Sequence, residues 1–454
     1  MSSDFLTAAE KMKAELGDAL CLAKWQQTSL HLTNGLTNSC YHPPLHEIDA
    51  SLLKDNPSAL HNTPYKKERR KEMLNGKKCE ECSYCWNIEG HNHLSDRHYR
   101  SGEPWASVHL NRIRNQAWDA DEVPSYVEVN FSNVCNLACS YCSPQFSSTW
   151  AAQAERHGPY PTSTPHNDIK HFEGRRKPIP NRDYNPYVEA FWKWWPTLYP
   201  QLRHFRMTGG EPILDKNTYR VFDYVLKNPK PDLHLNVTSN FSTDVGLFDY
   251  YLSKCKLLCE DETIEHFMQF VSVDTFGKQA EYIRPGLVFK RLQENVERFL
   301  TEIPGRNSVT FIITMNNLVV PGIKDLLQWI LELRAKHSTT YQRVWFDTPL
   351  LRAPAWQSIQ TLPTAYIWQM ESNVLDWMKQ NPTNGMNGFK DYEIQRMERI
   401  IAMMRKHNAD PVLKQDFYKF FSEHDNRHNF KFTDVFPEMS TYWDDCKYWA
   451  DNGF

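Results

Sequence analysis

From Tyr126 onward, apolar strand-like segments alternate with amphipathic segments of helical length, and no other feature of the sequence constrains the fold as strongly. Six strand-like segments alternate with five helical ones, which predicts an α/β fold with a parallel sheet covered by helices. In a curved parallel sheet, functional groups collect at the carboxyl ends of the strands. The predicted strands are 126–131, 204–209, 233–239, 268–274, 309–315 and 343–347, and the predicted helices lie near 186–200, 215–227, 243–256, 286–303 and 322–336.

The segments that flank this pattern differ from it. Residues 1–120 carry five cysteines and turn-rich stretches, with only one convincing helix, around 65–75. The connection 143–185 is rich in Pro, Ser and His, and its composition indicates an insertion or a flap, whereas 364–454 is largely helical by pattern. We therefore predict three domains: a cysteine-rich module (1–120), the parallel-sheet domain (121–350) and a mainly helical C-terminal region (351–454).

Composition limits the compartment and the partners. The chain has 454 residues, 41% of them hydrophobic, and no apolar stretch of 18 or more residues, so we predict no membrane span. The first residues contain no apolar signal region, and 11 clustered cysteines suit a reducing compartment, so we expect a cytoplasmic protein. A net charge of −3 gives no case for nucleic acid as a partner, and we interpret the basic runs at 66–71 and 174–177 as solvated surface.

Three cysteines, Cys135, Cys139 and Cys142, lie in the stretch "VCNLACSYC" directly after the first predicted strand. Their Cys-x3-Cys-x2-Cys spacing predicts a metal site, although spacing alone does not choose the metal. A structural zinc ion takes four ligands and a cubane cluster has four irons, so three thiols leave one corner without a protein ligand. Three explanations are open: the missing fourth ligand is accidental, a distant residue supplies it, or the position is kept open for a substrate.

A second motif, "TGGEP" (208–212), follows the second predicted strand, and the pair resembles the signature of the radical S-adenosylmethionine (SAM) superfamily. The resemblance implies a partial (β/α)6 TIM-type barrel over roughly 122–350. It also implies a [4Fe–4S] cluster on the three thiolates, with SAM chelated to the fourth iron. In that family the cluster gives one electron to SAM, and the resulting 5′-deoxyadenosyl radical takes hydrogen from a substrate. An external electron donor such as flavodoxin or ferredoxin is implied as well.

The resemblance also assigns SAM-binding positions. Gly209 and Gly210 allow close approach of the backbone to a ligand, and Glu211 resembles the family residue near the methionine amine. Ser272 resembles a serine that contacts the ribose or carboxylate, and Arg284 can pair with the SAM carboxylate through two hydrogen bonds. For Asn240, at the end of the third predicted strand, the structural alternative is a plain strand-end turn. For Arg284 it is a surface arginine. The remaining candidates for cofactor binding are Tyr141 and Asn240.

The N-terminal cysteines form a second cluster. "CEECSYC" (79–85) has a spacing used by iron–sulfur proteins, and the upstream Cys21–Gly35–Cys40 pattern resembles the opening of SPASM and twitch modules, which hold auxiliary clusters. In most enzymes of the family this module follows the barrel, whereas here it precedes it. The resemblance implies an auxiliary [4Fe–4S] cluster on Cys21, Cys40, Cys82 and Cys85, with Cys79 as a competing or extra thiol. The alternative is a structural zinc site that recruits His42, His46, His91 or His93.

Together these features predict a radical SAM enzyme, of oxidoreductase or transferase type, that oxidises, cross-links or epimerises a peptide or protein side chain. The alternatives are the same chemistry on a small polar metabolite, a non-catalytic binding protein with two metal sites, and nucleic-acid modification, which the net charge disfavours. Asp347 and Arg352 follow the last strand and are candidate substrate contacts. We expect Cys255, Cys259 and Cys446 to be packing thiols.

Overall fold

The computed structural model describes residues 3–174, 177–260, 262–338, 340–408 and 410–453. Arg175 and Arg176, in the second basic run, lie outside the described residues. The chain divides into two compact units. The first comprises Met1–Asn133, Arg175–Gly209 and Lys230–Asn236, and the second comprises Val134–Gly174, Gly210–Pro229 and Val237–Phe454. The division into three domains stays a prediction.

Five strands lie wholly within the described residues of the first unit, in the order β3-β2-β1-β4-β5. β1 pairs in parallel with β4, and β4 pairs in parallel with β5, whereas β2 is antiparallel to β1. The predictions of strands at 126–131 and 204–209 are confirmed. β1 was not predicted, because most of its residues are polar and it lacks an apolar run. The bounds are β1 (Gln27–His31), β2 (Leu36–Asn38), β3 (His46–Glu47), β4 (Tyr126–Asn130) and β5 (His204–Thr208).

The remaining strands confirm the predicted alternation. β6 (Lys230–Ser239) begins in the first unit and ends in the second. In the second unit, β7 (Ile264–Ser272), β8 (Asn307–Ile312) and β9 (Val344–Asp347) are parallel neighbours, so the predicted α/β class with a parallel sheet is confirmed.

The N-terminal residues contain more helix than the sequence pattern indicated. The predicted helix near 65–75 is present, but the expectation of only one helix there is wrong. The longest additional helix buries Ala9, Met12 and Leu16 as one stripe, and the others have only four to eight residues, too few for a clear period. The helices are α1 (Ser3–Leu16), α2 (Ala23–Gln26), α3 (Pro64–Leu74), α4 (Ser83–Gly90), α5 (Asp96–Gly102), α6 (Pro104–Ser107) and α7 (Leu110–Asn115).

The helices between the strands match the predicted positions closely. The aromatic stretch "FWKWWPTLY" supplies the buried face of one of them, with Phe191, Trp194 and Trp195 in the core. The described residues of the connection 143–185 contain one regular helix and a short 3₁₀ turn at Ile169–Phe172. These helices are α8 (Ser148–His157), α9 (Pro186–Leu198), α10 (Lys216–Lys227), α11 (Val245–Cys259), α12 (Gly277–Ile283), α13 (Phe289–Glu302) and α14 (Ile323–His337).

The C-terminal region is helical, as predicted. Its first helix continues through a π-helical turn at Met370–Leu375. Among the described residues, we find no helix with both the length and the apolar character required to cross a bilayer. The helices are α15 (Thr364–Gln369), α16 (Asp376–Gln380), α17 (Asp391–Met404), α18 (Pro411–His428), α19 (Phe432–Val435) and α20 (Ser440–Asn452).

A buried ion pair joins α14 to α17. The guanidinium of Arg334 donates to both carboxylate oxygens of Glu393, at 2.6 and 3.0 Å, and both side chains are almost completely buried. The same guanidinium donates to the carbonyls of Val344 and Gly388. A C-terminal helix is thereby tied to the sheet domain of the second unit.

We predict that Arg334→Leu lowers the free energy of unfolding by about 3–5 kcal/mol, because it leaves the Glu393 carboxylate buried without its cation. Arg298→Leu is the matched control. Its ion pairs with Asp249 and Glu302 are exposed, so its loss should cost less than about 1 kcal/mol. Urea unfolding of both variants measures the difference, and equal effects would contradict the prediction.

Candidate functional site

The three cysteines of the first motif lie in a turn of the second unit. The backbone N–H of Cys142 donates to the carbonyl of Cys139 at 2.8 Å, and the N–H of Leu137 donates to the Cys135 sulfur at 3.5 Å. Burial raises the pKa of Cys135 to about 12, and burial together with the charges of Cys139 and Cys135 raises that of Cys142. The thiols therefore influence one another and keep their protons at neutral pH unless a metal displaces them.

Side chains of the 143–185 connection anchor this cysteine loop. The indole N–H of Trp150 on α8 donates to the carbonyl of Cys139 at 2.8 Å, and the hydroxyl of Ser147 donates to that of Leu137 at 2.8 Å. The amide of Asn167 donates to the carbonyl of Cys142 at 3.0 Å. At least part of the segment interpreted as a flap thus holds the loop in place.

The "TGGEP" turn is tied to the end of β6. The buried carboxylate of Glu211 accepts the backbone N–H of Ile213 at 3.0 Å and that of Asn240 at 2.7 Å. The side chain of Asn240 donates to Asn136, inside the cysteine loop, at 2.7 Å. Burial raises the pKa of Glu211 to about 7, although its hydrogen bonds oppose the shift.

Gly209 permits a close approach that another residue would prevent. Its φ of +118° lies in a region that side chains rarely adopt, and a Cβ there would lie 2.3 Å from Asn130 Oδ1. Gly286, after α12, is a second such position, because its Cβ would lie 2.8 Å from the carbonyl of Asn136 in the cysteine loop. Both sites put the backbone where a side chain does not fit.

Arg284 is held by a carboxylate that sequence analysis did not include. Its guanidinium donates to Asp274 at 2.9 and 3.1 Å, to the Tyr141 hydroxyl at 2.6 Å and to the Cys139 sulfur at 3.5 Å. The Tyr141 hydroxyl donates to Asp274 in turn. Burial alone would lower the pKa of Arg284, but the charges of Asp274, Tyr141 and Cys139 and the hydrogen bond to Asp274 together outweigh burial, so the pKa is raised. The sequence signal that could have identified Asp274 is its position as the acidic last residue of "SVD" (272–274), at the end of a predicted strand.

The other predicted residues of the second unit lie at strand ends or beyond them. Ser272 is the last residue of β7 and is half-buried. Asp347 ends β9, forms an ion pair with Arg396 and accepts the N–H of Thr348 at 2.7 Å. Arg352 is exposed. Cys255 and Cys446 are buried and Cys259 is half-buried.

Four N-terminal cysteines line one pocket of the first unit, with about 510 Å³ of empty space, part of it open to solvent. The sulfur of Cys79 does not line it and instead donates to the carbonyl of Arg69 at 3.3 Å. Of the four histidines considered for zinc, only His42 lines the pocket, and its Nε2 pairs with Asp96 at 2.6 Å. The four cysteines are Cys21, Cys40, Cys82 and Cys85.

The donor sets of both sites fit iron–sulfur clusters. Among the described residues, no three His, Cys, Asp or Glu side chains are grouped as ligands of one metal ion. In a cubane each thiolate binds a separate iron, so the sulfurs need not meet at one point. The first loop supplies three thiols and the N-terminal pocket four. Lys24 also lines that pocket, and its positive charge favours the thiolate forms that a cluster requires.

One face of the first unit's sheet is polar. By strand alternation and register, Gln27 and Ser29 of β1 share a face with Glu128 and Asn130 of β4 and with Arg206 of β5. In the described part of the chain, both amide atoms of Gln27 and of Asn130 are buried without a hydrogen-bond partner. Buried polar groups usually have hydrogen-bond partners, so this face is a candidate surface for a polar ligand.

No protein-family model matches the chain. It is similar to the GTP 3′,8-cyclases of Sulfurimonas denitrificans (23% identical over 214 residues, 46% of this chain and 53% of the relative) and Nautilia profundicola (24% over 201 residues, 44% and 49%). The GTP 3′,8-cyclase of Aliarcobacter butzleri is 24% identical over 210 residues, 45% of this chain and 50% of that protein. The chain spans about half the length of these curated relatives.

The chain also resembles solved structures of Streptococcus suis SuiB. The structure bound to S-adenosylmethionine aligns with a TM-score of 0.35 and 11% identity, over 78% of this chain and 68% of SuiB. The structure bound to the precursor peptide SuiA aligns with a TM-score of 0.32 and 13% identity, over 79% and 69%. The cysteine motif, the glycine-rich turn and the similarity to the curated relatives support the expectation of a radical SAM superfamily enzyme.

We predict that Glu211 makes stability depend on pH. Its folded-state pKa of about 7 exceeds the ordinary 4.5, so the folded protein binds the proton more tightly. The resulting stability is present below the ordinary value and is lost as pH rises through about 7. Between about pH 5 and pH 8, Glu211→Gln should reduce the fall in unfolding free energy by about 1–3 kcal/mol. Urea titrations of the metal-free protein measure this, and parallel pH profiles would contradict it.

Proposed function

We propose that this chain cleaves S-adenosylmethionine reductively and uses the 5′-deoxyadenosyl radical to remove hydrogen from a peptide or protein side chain. The observation that carries the proposal is the arrangement in the second unit. There the cysteine loop contacts Asn240 through Asn136 and Arg284 through Cys139. Polar groups from the end of β6 and from the end of α12 thus meet one three-thiol loop.

Each side chain has a role in this proposal. Cys135, Cys139 and Cys142 would hold a [4Fe–4S] cluster, which when bound supplies one electron to the sulfonium of SAM. Asn240 and Glu211 fix the turns beside the loop through backbone N–H groups. Arg284 would bind the SAM carboxylate through guanidinium N–H groups, some of which now donate to Asp274. We include Tyr141, Ser272 and the glycines Gly209 and Gly210 as SAM contacts.

The polar face of the first unit's sheet supports a polar substrate. Its buried amides can each donate and accept, as a peptide group or carboxamide requires. Glu128 and Arg206 lie 3.5 Å apart, so their charges offset each other and this pair brings no net positive charge for a triphosphate. We therefore favour a peptide or protein side chain over a nucleotide, with a small polar metabolite second. Asp347 and Arg352 remain candidate substrate contacts.

Hydrogen transfer tests the substrate class. Unlabelled SAM and a pool of deuterated peptides should yield deuterium in 5′-deoxyadenosine if a peptide is the substrate. Transfer from a deuterated extract of small metabolites, with none from peptides, would favour the second class.

We also propose an auxiliary [4Fe–4S] cluster on Cys21, Cys40, Cys82 and Cys85, in a SPASM- or twitch-like module that precedes the barrel. The support is that these four thiols, without Cys79, line one pocket. A structural zinc site is the rival. We place the enzyme in the reducing cytoplasm, because clustered free thiols suit such a compartment. We propose a flavodoxin or ferredoxin as its electron donor.

We predict that the anaerobically reconstituted protein, given dithionite and SAM, produces 5′-deoxyadenosine, and that Cys139→Ala abolishes it, because the cluster loses a ligand. Cys259→Ala is the matched control, since this half-buried thiol lies on α11 and should leave production unchanged. Chromatography of the quenched reaction measures the product. A colourless zinc protein that leaves SAM intact would support the non-catalytic alternative.

We predict that Cys82→Ala removes about half of the bound iron and sulfide, because one of two four-iron clusters is lost. Cys79→Ala should retain both, since that sulfur faces the Arg69 carbonyl. Iron and sulfide assays on the reconstituted full-length chain make the comparison. Equal losses in the two variants would show that Cys79 is a ligand, and zinc in place of iron would favour the structural site.

A further inference from the structure

The four-thiol pocket contains a buried ammonium group. Lys24, in α2, has a side chain that is 3% exposed and lines the pocket together with the four cysteines. It forms an ion pair with Glu81, whose side chain is 7% exposed. Burying a charge this completely is costly unless it has a partner. Glu81 therefore holds the ammonium of Lys24 in a fixed position in the pocket wall.

The ammonium faces the sulfur atoms. Burial raises the pKa of Cys82 to about 11, and the charge of Lys24 and its hydrogen bond to this thiol oppose that shift. Lys24 is also the foremost charge that opposes the effect of burial on Cys21 and Cys40. It therefore stabilises negative charge on three of the four proposed ligands and hydrogen-bonds one of them, Cys82.

The other cations of the pocket wall have different partners. The guanidinium of Arg97 donates to both carboxylate oxygens of Glu89, at 2.9 and 2.6 Å, and to the carbonyls of Gly17 and Leu20. Arg100 lies over the ring of Tyr41, 5.6 Å from its centroid. Arg97 also opposes the effect of burial on Cys21, but among the described residues that line the pocket Lys24 is the cation whose side chain hydrogen-bonds a proposed ligand, and Glu81 is the anion paired with it.

We propose that Lys24 raises, and Glu81 lowers, the reduction potential of the iron–sulfur cluster assigned to this pocket. The inference rests on the auxiliary cluster of the proposed function. One-electron reduction adds a negative charge, which a buried ammonium stabilises and a buried carboxylate destabilises. Net charge, hydrogen bonds to sulfur and solvent exposure set cluster potentials, and solvent and salt screen buried groups weakly. Because the two charges oppose each other, removal of either one exposes the effect of the other.

The test uses the full-length chain with Cys135→Ala, Cys139→Ala and Cys142→Ala, which leaves only the auxiliary cluster. Redox titration followed by electron paramagnetic resonance gives its midpoint potential. Lys24→Met should change the reduced-to-oxidised ratio at a fixed potential at least tenfold toward oxidised, a shift of about 59 mV to more negative values. Glu81→Gln should shift the potential in the positive direction, and Lys24→Arg, which keeps the charge, should shift it less than Lys24→Met.

Lys11→Met is the matched control, because that lysine is 73% exposed and solvent screens its charge. If the parent protein holds an iron–sulfur cluster but neither Lys24→Met nor Glu81→Gln moves the potential beyond this control, the tuning role is wrong and the auxiliary cluster stands. If the parent holds no such cluster, the proposed cluster is wrong and the inference falls with it. Should Lys24→Met not fold, the sign of the Glu81→Gln shift decides.

Discussion

The hydrogen bonds of Asn240 are the contacts on which the candidate site most depends. Its backbone N–H binds the carboxylate of Glu211, 29 residues away in sequence, and its side chain binds Asn136, 104 residues away. One strand end thus fixes both the glycine-rich turn and the cysteine loop. Because Glu211 and Asn240 are buried, water competes weakly for these bonds, and the three-thiol turn keeps a defined position.

The two cysteine sites differ in their electrostatic surroundings. The loop in the second unit has a cation at a sulfur, Arg284, which Asp274 and Tyr141 hold in place. The pocket in the first unit has Lys24 at a sulfur, paired with Glu81. In both cases a charge of the opposite sign fixes the cation beside the thiol, so each site combines positive charge near sulfur with little net charge. This arrangement suits thiolates that bind a metal cluster.

The polar face of the first unit's sheet has an energetic consequence. Buried amide groups without partners, such as those of Gln27 and Asn130, each cost about 1–3 kcal/mol relative to paired groups. A bound ligand that supplies these hydrogen bonds recovers that free energy. The free energy that the unpaired amides cost the folded protein would therefore contribute to the binding of a ligand that hydrogen-bonds them. A ligand that lacks donors and acceptors would not gain this contribution.

The sequence by itself determined the strand–helix alternation after Tyr126, because hydrophobic periodicity is a local property, and the cysteine spacing together with "TGGEP" indicated the superfamily. It missed β1 and the short N-terminal helices, which owe their stability to packing and lack a strong period of their own. Only the tertiary structure decided that Asp274 holds Arg284, that the sulfur of Cys79 faces away from the four-thiol pocket, and that Lys24 lies beside Cys82. These contacts join residues distant in the chain, and the direction of a side chain depends on what packs around it.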